Sequence, residues 1–125
     1  MLLRSTTEIV THSKQILETY GDNPFYSPCN STVRTFGNVL ELPEFKQIQT
    51  FVIECVSTYC DFANIDKTGL KFSGSWLNQY QPNGYQDLHT HEDSVLSGCI
   101  YLKADRKSTR LNSSYTDISR MPSSA

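Results

Sequence analysis

The chain has 125 residues, of which 38% are hydrophobic and 11% are aromatic, which is enough for one domain with its own core and no disulfides. Its formal net charge is −2 and its eleven Lys and Arg residues are scattered, which excludes the basic surface of a nucleic-acid-binding protein. The sequence has no apolar run of about 18 residues and no export signal, so we expect no membrane span. We expect a cytoplasmic protein whose four cysteines are reduced and mostly buried.

The first predicted helix follows residues 5–8, which have the form of a capping box. Apolar and aromatic side chains then recur at three- and four-residue spacing, and Gly21 predicts a left-handed stop. This stripe consists of Ile9, His12, Ile16 and Tyr20. Residues 22–35 carry turn signals and predict a surface loop.

A second, longer helix is predicted to begin at residues 42–44, with Pro43 in the first turn, where its missing amide costs nothing. Its spacing predicts a buried stripe that serves core packing. The members of that stripe are Phe45, Ile48, Val52, Cys55, Val56, Tyr59 and Phe62. We expect neither Cys55 nor Cys60 to bind a metal.

After residue 69 the hydrophobic period changes from helical to two, which predicts strands over residues 70–80, 85–91 and 95–102. Pro82, Asn83 and Gly84 form the predicted turn between the first two strands. The order is therefore two helices followed by antiparallel strands, which indicates the α+β class.

His89 and His91 are the candidate metal ligands. Residues two apart in a β-strand point to the same face, so both imidazoles would be aimed at one point. A redox-active divalent metal such as Fe(II) usually takes three protein ligands. Asp93 is the reserve carboxylate ligand, because Glu92 would point to the opposite face of a continuing strand.

Several motifs around this pair resemble those of the 2-oxoglutarate and Fe(II)-dependent oxygenases found in phage and marine bacterial sequences, across roughly residues 31–104. The motifs are Ser75-Trp76-Leu77-Asn78, Gly84, Gln86, His89-Thr90-His91 and Ser97-Gly98-Cys99-Ile100-Tyr101-Leu102. The resemblance implies a double-stranded β-helix, or jelly roll, with N-terminal helices packed on one sheet. It also implies Fe(II) at His89 and His91, with 2-oxoglutarate bound by the hydroxyls of Tyr80 and Tyr101. The substrate would be an unidentified small molecule or protein.

The sequence departs from this family at His91, where related prolyl-hydroxylase-like enzymes carry an aspartate. The family's later iron-binding histidine and its 2-oxoglutarate-binding arginine also have no counterpart before residue 105. No histidine follows His91. The resemblance therefore implies an incomplete jelly roll.

Residues 105–125 differ in kind from residues 1–104. They contain six serines and carry four basic against two acidic residues, whereas the first 104 residues carry seven against eleven. Their beginning, Asp105-Arg106-Lys107-Ser108, resembles a translated sequencing adapter. We expect an oxygenase-like domain over 1–104 and a disordered, non-native tail over 105–125.

Two other interpretations stay open. A cupin also combines a jelly roll with a His-x-His motif, but it places a Glu three or four residues after the second histidine, and this chain does not. The other interpretation is a fragment of an open reading frame without activity of its own.

Overall fold

The computed structural model describes residues 5–23, 28–104 and 119–120. The chain divides into two compact units, residues 1–85 and residues 86–125. The first unit contains helix α1 (Thr6–Tyr20), strand β1 (Cys29–Ser31), two 3-10 turns (Val39–Glu41 and Pro43–Phe45), helix α2 (Lys46–Phe62) and strand β2 (Asn78–Tyr80). The second unit contains strands β3 (Leu96–Ser97) and β4 (Ser119–Arg120).

The start of α1 confirms the predicted capping box. The Glu8 amide donates to the Ser5 hydroxyl at 3.2 Å, and the Ser5 amide donates to the Glu8 carboxylate at 3.0 Å. These two bonds satisfy amides that have no partner within the helix. The helix buries Ser13 and Leu17, whereas Tyr20 of the predicted stripe stays 48% exposed.

The end of α1 differs from the prediction. Gly21 is extended, with φ −67° and ψ 143°, so the predicted left-handed stop is wrong. A glycine is needed here because a Cβ would collide with the Asn30 side chain and the Leu17 carbonyl. That closeness lets the Asn30 amide donate to the Leu17 oxygen at 3.2 Å, as a second bond beside the one that the Gly21 amide donates at 2.8 Å.

The loop predicted over residues 22–35 is wrong at Cys29–Ser31, which forms β1. This strand pairs antiparallel with β2, with Ser31 opposite Asn78 and Cys29 opposite Tyr80. The Ser31 hydroxyl donates to the Asn78 side-chain oxygen at 2.6 Å. The buried hydroxyl of Thr32 accepts a bond from the Leu77 amide at 3.0 Å. These paired polar groups fix the register of the two strands.

Helix α2 begins after a 3-10 turn whose first residue is Pro43, in agreement with the predicted role of that proline. The predicted stripe is correct at Phe45, which is 2% exposed, and wrong at Cys55 and Phe62, which lie on the exposed side. Cys60, at 0% exposure, faces the core instead. The reason is helical rotation, because at about 100° per residue Phe62 lies about 200° around the helix from Cys60.

The core of the described residues is small. Its apolar members with less than a tenth of their surface exposed are Leu17, Cys29, Val39, Phe45 and Cys60. They come from both helices, β1 and the 3-10 turns, so the first unit has one shared core. Two of the four cysteines are buried and two, Cys55 and Cys99, are exposed, so the expectation that most are buried is half met.

The predicted strands are much shorter than expected. Residues 70–80 form a strand only at Asn78–Tyr80, although Ser75 makes a parallel bridge with Asn38. Residues 85–91 are not a strand, and residues 95–102 contribute only Leu96–Ser97. The described residues thus combine two α-helices with small antiparallel sheets, which agrees with the α+β class. The jelly roll stays a prediction.

In the second unit, β3 pairs antiparallel with β4, with Leu96 opposite Arg120. The tail predicted over residues 105–125 lies outside the described residues except for Ser119–Arg120. Within the part of the chain that is described, no helix is both long and apolar enough to span a membrane.

Candidate metal site

His89 and His91 lie side by side. Their ring centroids are 4.9 Å apart and the ring planes meet at 73°. The surrounding backbone is not a β-strand, so the predicted reason for their convergence is wrong although the two rings are close. His89 is exposed and His91 is half-buried.

The His89 ring is held by its own backbone. Its Nδ1 lies 2.8 Å from the carbonyl oxygen of Asp87. A carbonyl only accepts hydrogen bonds, so Nδ1 carries the proton and the neutral ring presents the lone pair of Nε2. Metal-binding histidines commonly have one ring nitrogen fixed in this way. Sequence reasoning missed the Asp87 carbonyl, because a backbone acceptor leaves no residue-type signal.

The separation of the two ring centroids is compatible with a shared metal ion, and it is equally that of an edge-to-face contact between two rings. With a metal–nitrogen distance of about 2.1 Å and a ring radius of about 1.1 Å, each centroid lies about 3.2 Å from the metal. Two such rings would have centroids about 4.5 Å apart at a right angle and about 5.2 Å apart at a tetrahedral angle. The observed 4.9 Å lies between these values. Two imidazoles also suit first-row divalent metals chemically.

A third ligand is not assembled among the described residues, where no group of three His, Cys, Asp or Glu side chains could hold a metal ion. Residues 92–93 form a turn, closed by the Ser94 amide donating to the His91 carbonyl at 3.1 Å. The strand alternation that favoured Asp93 over Glu92 therefore does not apply, and both carboxylates are exposed. Among the described residues, the two imidazoles alone do not make up a metal site.

The two tyrosines predicted to bind 2-oxoglutarate lie in different units. Tyr80 ends β2 and is 43% exposed, whereas Tyr101 follows β3 and is 57% exposed. Their binding role stays a prediction.

The comparisons with known proteins bear on this same segment. The family model "Putative 2OG-Fe(II) oxygenase" matches residues 74–124, a range that contains both histidines and both tyrosines. No curated protein and no solved structure matches the chain significantly. Residues 74–124 are thus similar to oxygenases that use Fe(II) and 2-oxoglutarate.

Proposed function

We propose that His89 and His91 are two of the iron ligands of an Fe(II)/2-oxoglutarate-dependent dioxygenase. The observation that carries this proposal is the 4.9 Å separation of the two rings within the segment that matches the oxygenase family model. The hydrogen bond from His89 Nδ1 to the Asp87 carbonyl supports it, because it leaves Nε2 as the ligating atom.

The other roles follow the family resemblance. Bound Fe(II) would supply the oxidising chemistry in which 2-oxoglutarate and oxygen yield succinate, carbon dioxide and a hydroxylated substrate. Tyr80 and Tyr101 would donate their hydroxyls to the co-substrate, which is anionic and accepts hydrogen bonds. Asp93 is the reserve ligand within this chain, since a carboxylate would restore the negative charge that a histidine at position 91 does not provide.

The set is completed, in this proposal, by residues outside the 125-residue sequence. A further ligand and an arginine for the distal carboxylate of 2-oxoglutarate would come from later strands of a jelly roll. The serine-rich composition and the adapter-like residues 105–108 are the basis for proposing a non-native tail after Ala104, whereas the family-model match that extends to residue 124 counts against it. Sequencing the gene beyond the Ala104 codon tests this point, and recovering the present tail unchanged would contradict it.

The test of the function is oxygen-dependent formation of succinate from 2-oxoglutarate by the full-length gene product. We expect His89→Ala to abolish turnover, because removing one ligand typically costs far more than the 10- to 100-fold loss seen for an outer partner. His12→Ala, on α1 in the first unit, is the matched control and should keep full turnover.

Turnover that survives His89→Ala would refute the assignment. Metal binding that depends on His89 but shows no response to 2-oxoglutarate would instead favour a cupin-like metal-binding protein.

A further inference from the structure

The turn that follows β2 contains the single Asn-Gly dipeptide of the sequence, Asn83-Gly84. The Gly84 amide donates to the Gln81 carbonyl at 2.8 Å and closes a four-residue turn with Pro82 at its second position. Asn83, at the third position, has φ 66°, a left-handed conformation that asparagine adopts more readily than most residues. Asn83 is also exposed, so the dipeptide is accessible to water on the first unit.

An asparagine followed by glycine can lose its side-chain amide. The backbone nitrogen of the glycine attacks the side-chain carbonyl carbon, a new C–N bond forms, the backbone amide proton passes to water or hydroxide, and ammonia leaves. Water then opens the five-membered imide at either carbonyl, which yields aspartate or isoaspartate and one added negative charge. Glycine favours the attack because it has no side chain to obstruct the approach.

The other asparagines of the described residues are less suited to this reaction. Two of them, Asn30 and Asn78, have side chains that are held by hydrogen bonds. Of the remaining three, two precede a β-branched residue, whose side chain crowds the attacking nitrogen, and one precedes proline, which has no amide proton. These three are Asn38, Asn64 and Asn23.

One contact opposes the reaction at Asn83 in the folded chain. The Gly84 amide must leave the Gln81 carbonyl before its nitrogen can attack. Asn83 and Gln81 are both exposed, and the turn follows a strand of only three residues, so this hydrogen bond belongs to the part of the structure that opens most readily. Transient opening of the turn therefore limits the rate of the reaction without preventing it.

We propose that Asn83 is a deamidation site of the folded protein, and that isoaspartate at this position loosens the pairing of β1 with β2. The Gln81 amide donates to the Pro28 carbonyl at 3.1 Å, which continues the antiparallel pairing one residue beyond the two strands. Isoaspartate lengthens the backbone before Gly84 by one carbon atom. Gly84 lies so close to the Pro28 carbonyl that a Cβ would collide with it, so the longer backbone fits only if this contact opens.

The experiment incubates the full 125-residue chain in neutral and in mildly alkaline buffer and follows each asparagine by peptide mapping with mass spectrometry. We expect Asn83 to convert before every other asparagine of the described residues, and faster at the higher pH, because the attacking nitrogen must lose its proton. Asn83→Gln keeps an amide and should remove the conversion, since the longer side chain places its carbonyl carbon less favourably for the attack.

Hydrogen exchange tests the consequence for the strands. In the isoaspartyl product, separated by ion exchange, the protection of the Gln81 amide should fall about threefold to tenfold, which is the effect of losing one hydrogen bond. Asn83→Asp adds the charge without lengthening the backbone, so it should keep the protection of the parent chain. Conversion of Asn83 only in urea, or later than at another asparagine of the described residues, would overturn the site. Equal Gln81 protection in the product and the parent chain would refute the loosening.

Discussion

Phe45, in the 3-10 turn before α2, and Phe62, at the end of α2, lie at opposite ends of the predicted stripe, and the structure assigns them opposite environments. Phe45 is 2% exposed and Phe62 is 85% exposed. Burying a phenylalanine side chain is worth about 1.5–3 kcal/mol, and truncating it inside a core costs about 3–5 kcal/mol once the cavity is included. Phe62 buries about a seventh of its surface, so Phe62→Ala should cost less than about 0.5 kcal/mol.

The two variants form a matched pair, because the same chemical group is removed from the same helical region. Urea unfolding followed by circular dichroism should show Phe45→Ala at least about 2.5 kcal/mol less stable than Phe62→Ala, a difference of about 60- to 70-fold in the unfolding equilibrium constant. If Phe45→Ala is too unstable to measure, Phe45→Leu should still cost more than Phe62→Leu. Equal losses in the two variants would refute the placement of Phe45 in the core and of Phe62 outside it.

Two further predictions concern ionisable groups. Burial raises the pKa of the Cys29 thiol, with a smaller opposing contribution from the Gln79 backbone. Titration with a thiol reagent in native buffer should therefore find two slow and two fast thiols, the slow ones being Cys29 and Cys60 and the fast ones Cys55 and Cys99; four fast thiols would contradict the described core. The Thr68 amide donates to the Asp66 carboxylate at 2.9 Å and, with the Thr68 hydroxyl, lowers the pKa of Asp66. The interaction between Thr68 and the Asp66 carboxylate therefore stabilises the fold at pH values above the ordinary aspartate pKa of about 3.9. This stabilisation is lost as the pH falls through the lowered pKa of Asp66. Side-chain NMR should find Asp66 titrating below the ordinary aspartate value of about 3.9, and a midpoint at or above that value would refute the contact.

The helices were predictable because their signals are local. The capping box at residues 5–8 and Pro43 in the opening turn of the second helical segment each act within about one turn, so the sequence alone contains the interaction. Which face of α2 is buried depends on tertiary contacts that no local pattern encodes. The stripe was therefore right at Phe45 and wrong at Phe62.

The strands were harder to predict because a strand exists only with a hydrogen-bonded partner. The alternation over residues 70–80 becomes a strand at Asn78–Tyr80, where β1 supplies the partner. The bond between Ser31 and Asn78 joins residues 47 positions apart in the chain. No local signal at residues 29–31 indicates that partner, and the turn signals before β1 and within it, such as Asn30-Ser31, favoured a loop.

The prediction that the imidazoles of His89 and His91 are close is correct, although the strand from which it was derived is not formed. On any extended backbone, side chains two residues apart are attached at nearby points, whether or not the backbone belongs to a sheet. The closeness of the two rings therefore does not require a sheet. What a sheet would have supplied is a neighbouring strand with further ligands, and the described residues bring none to the pair. In the proposed function, the chemistry of the site therefore depends on which additional donors reach the His89–His91 pair.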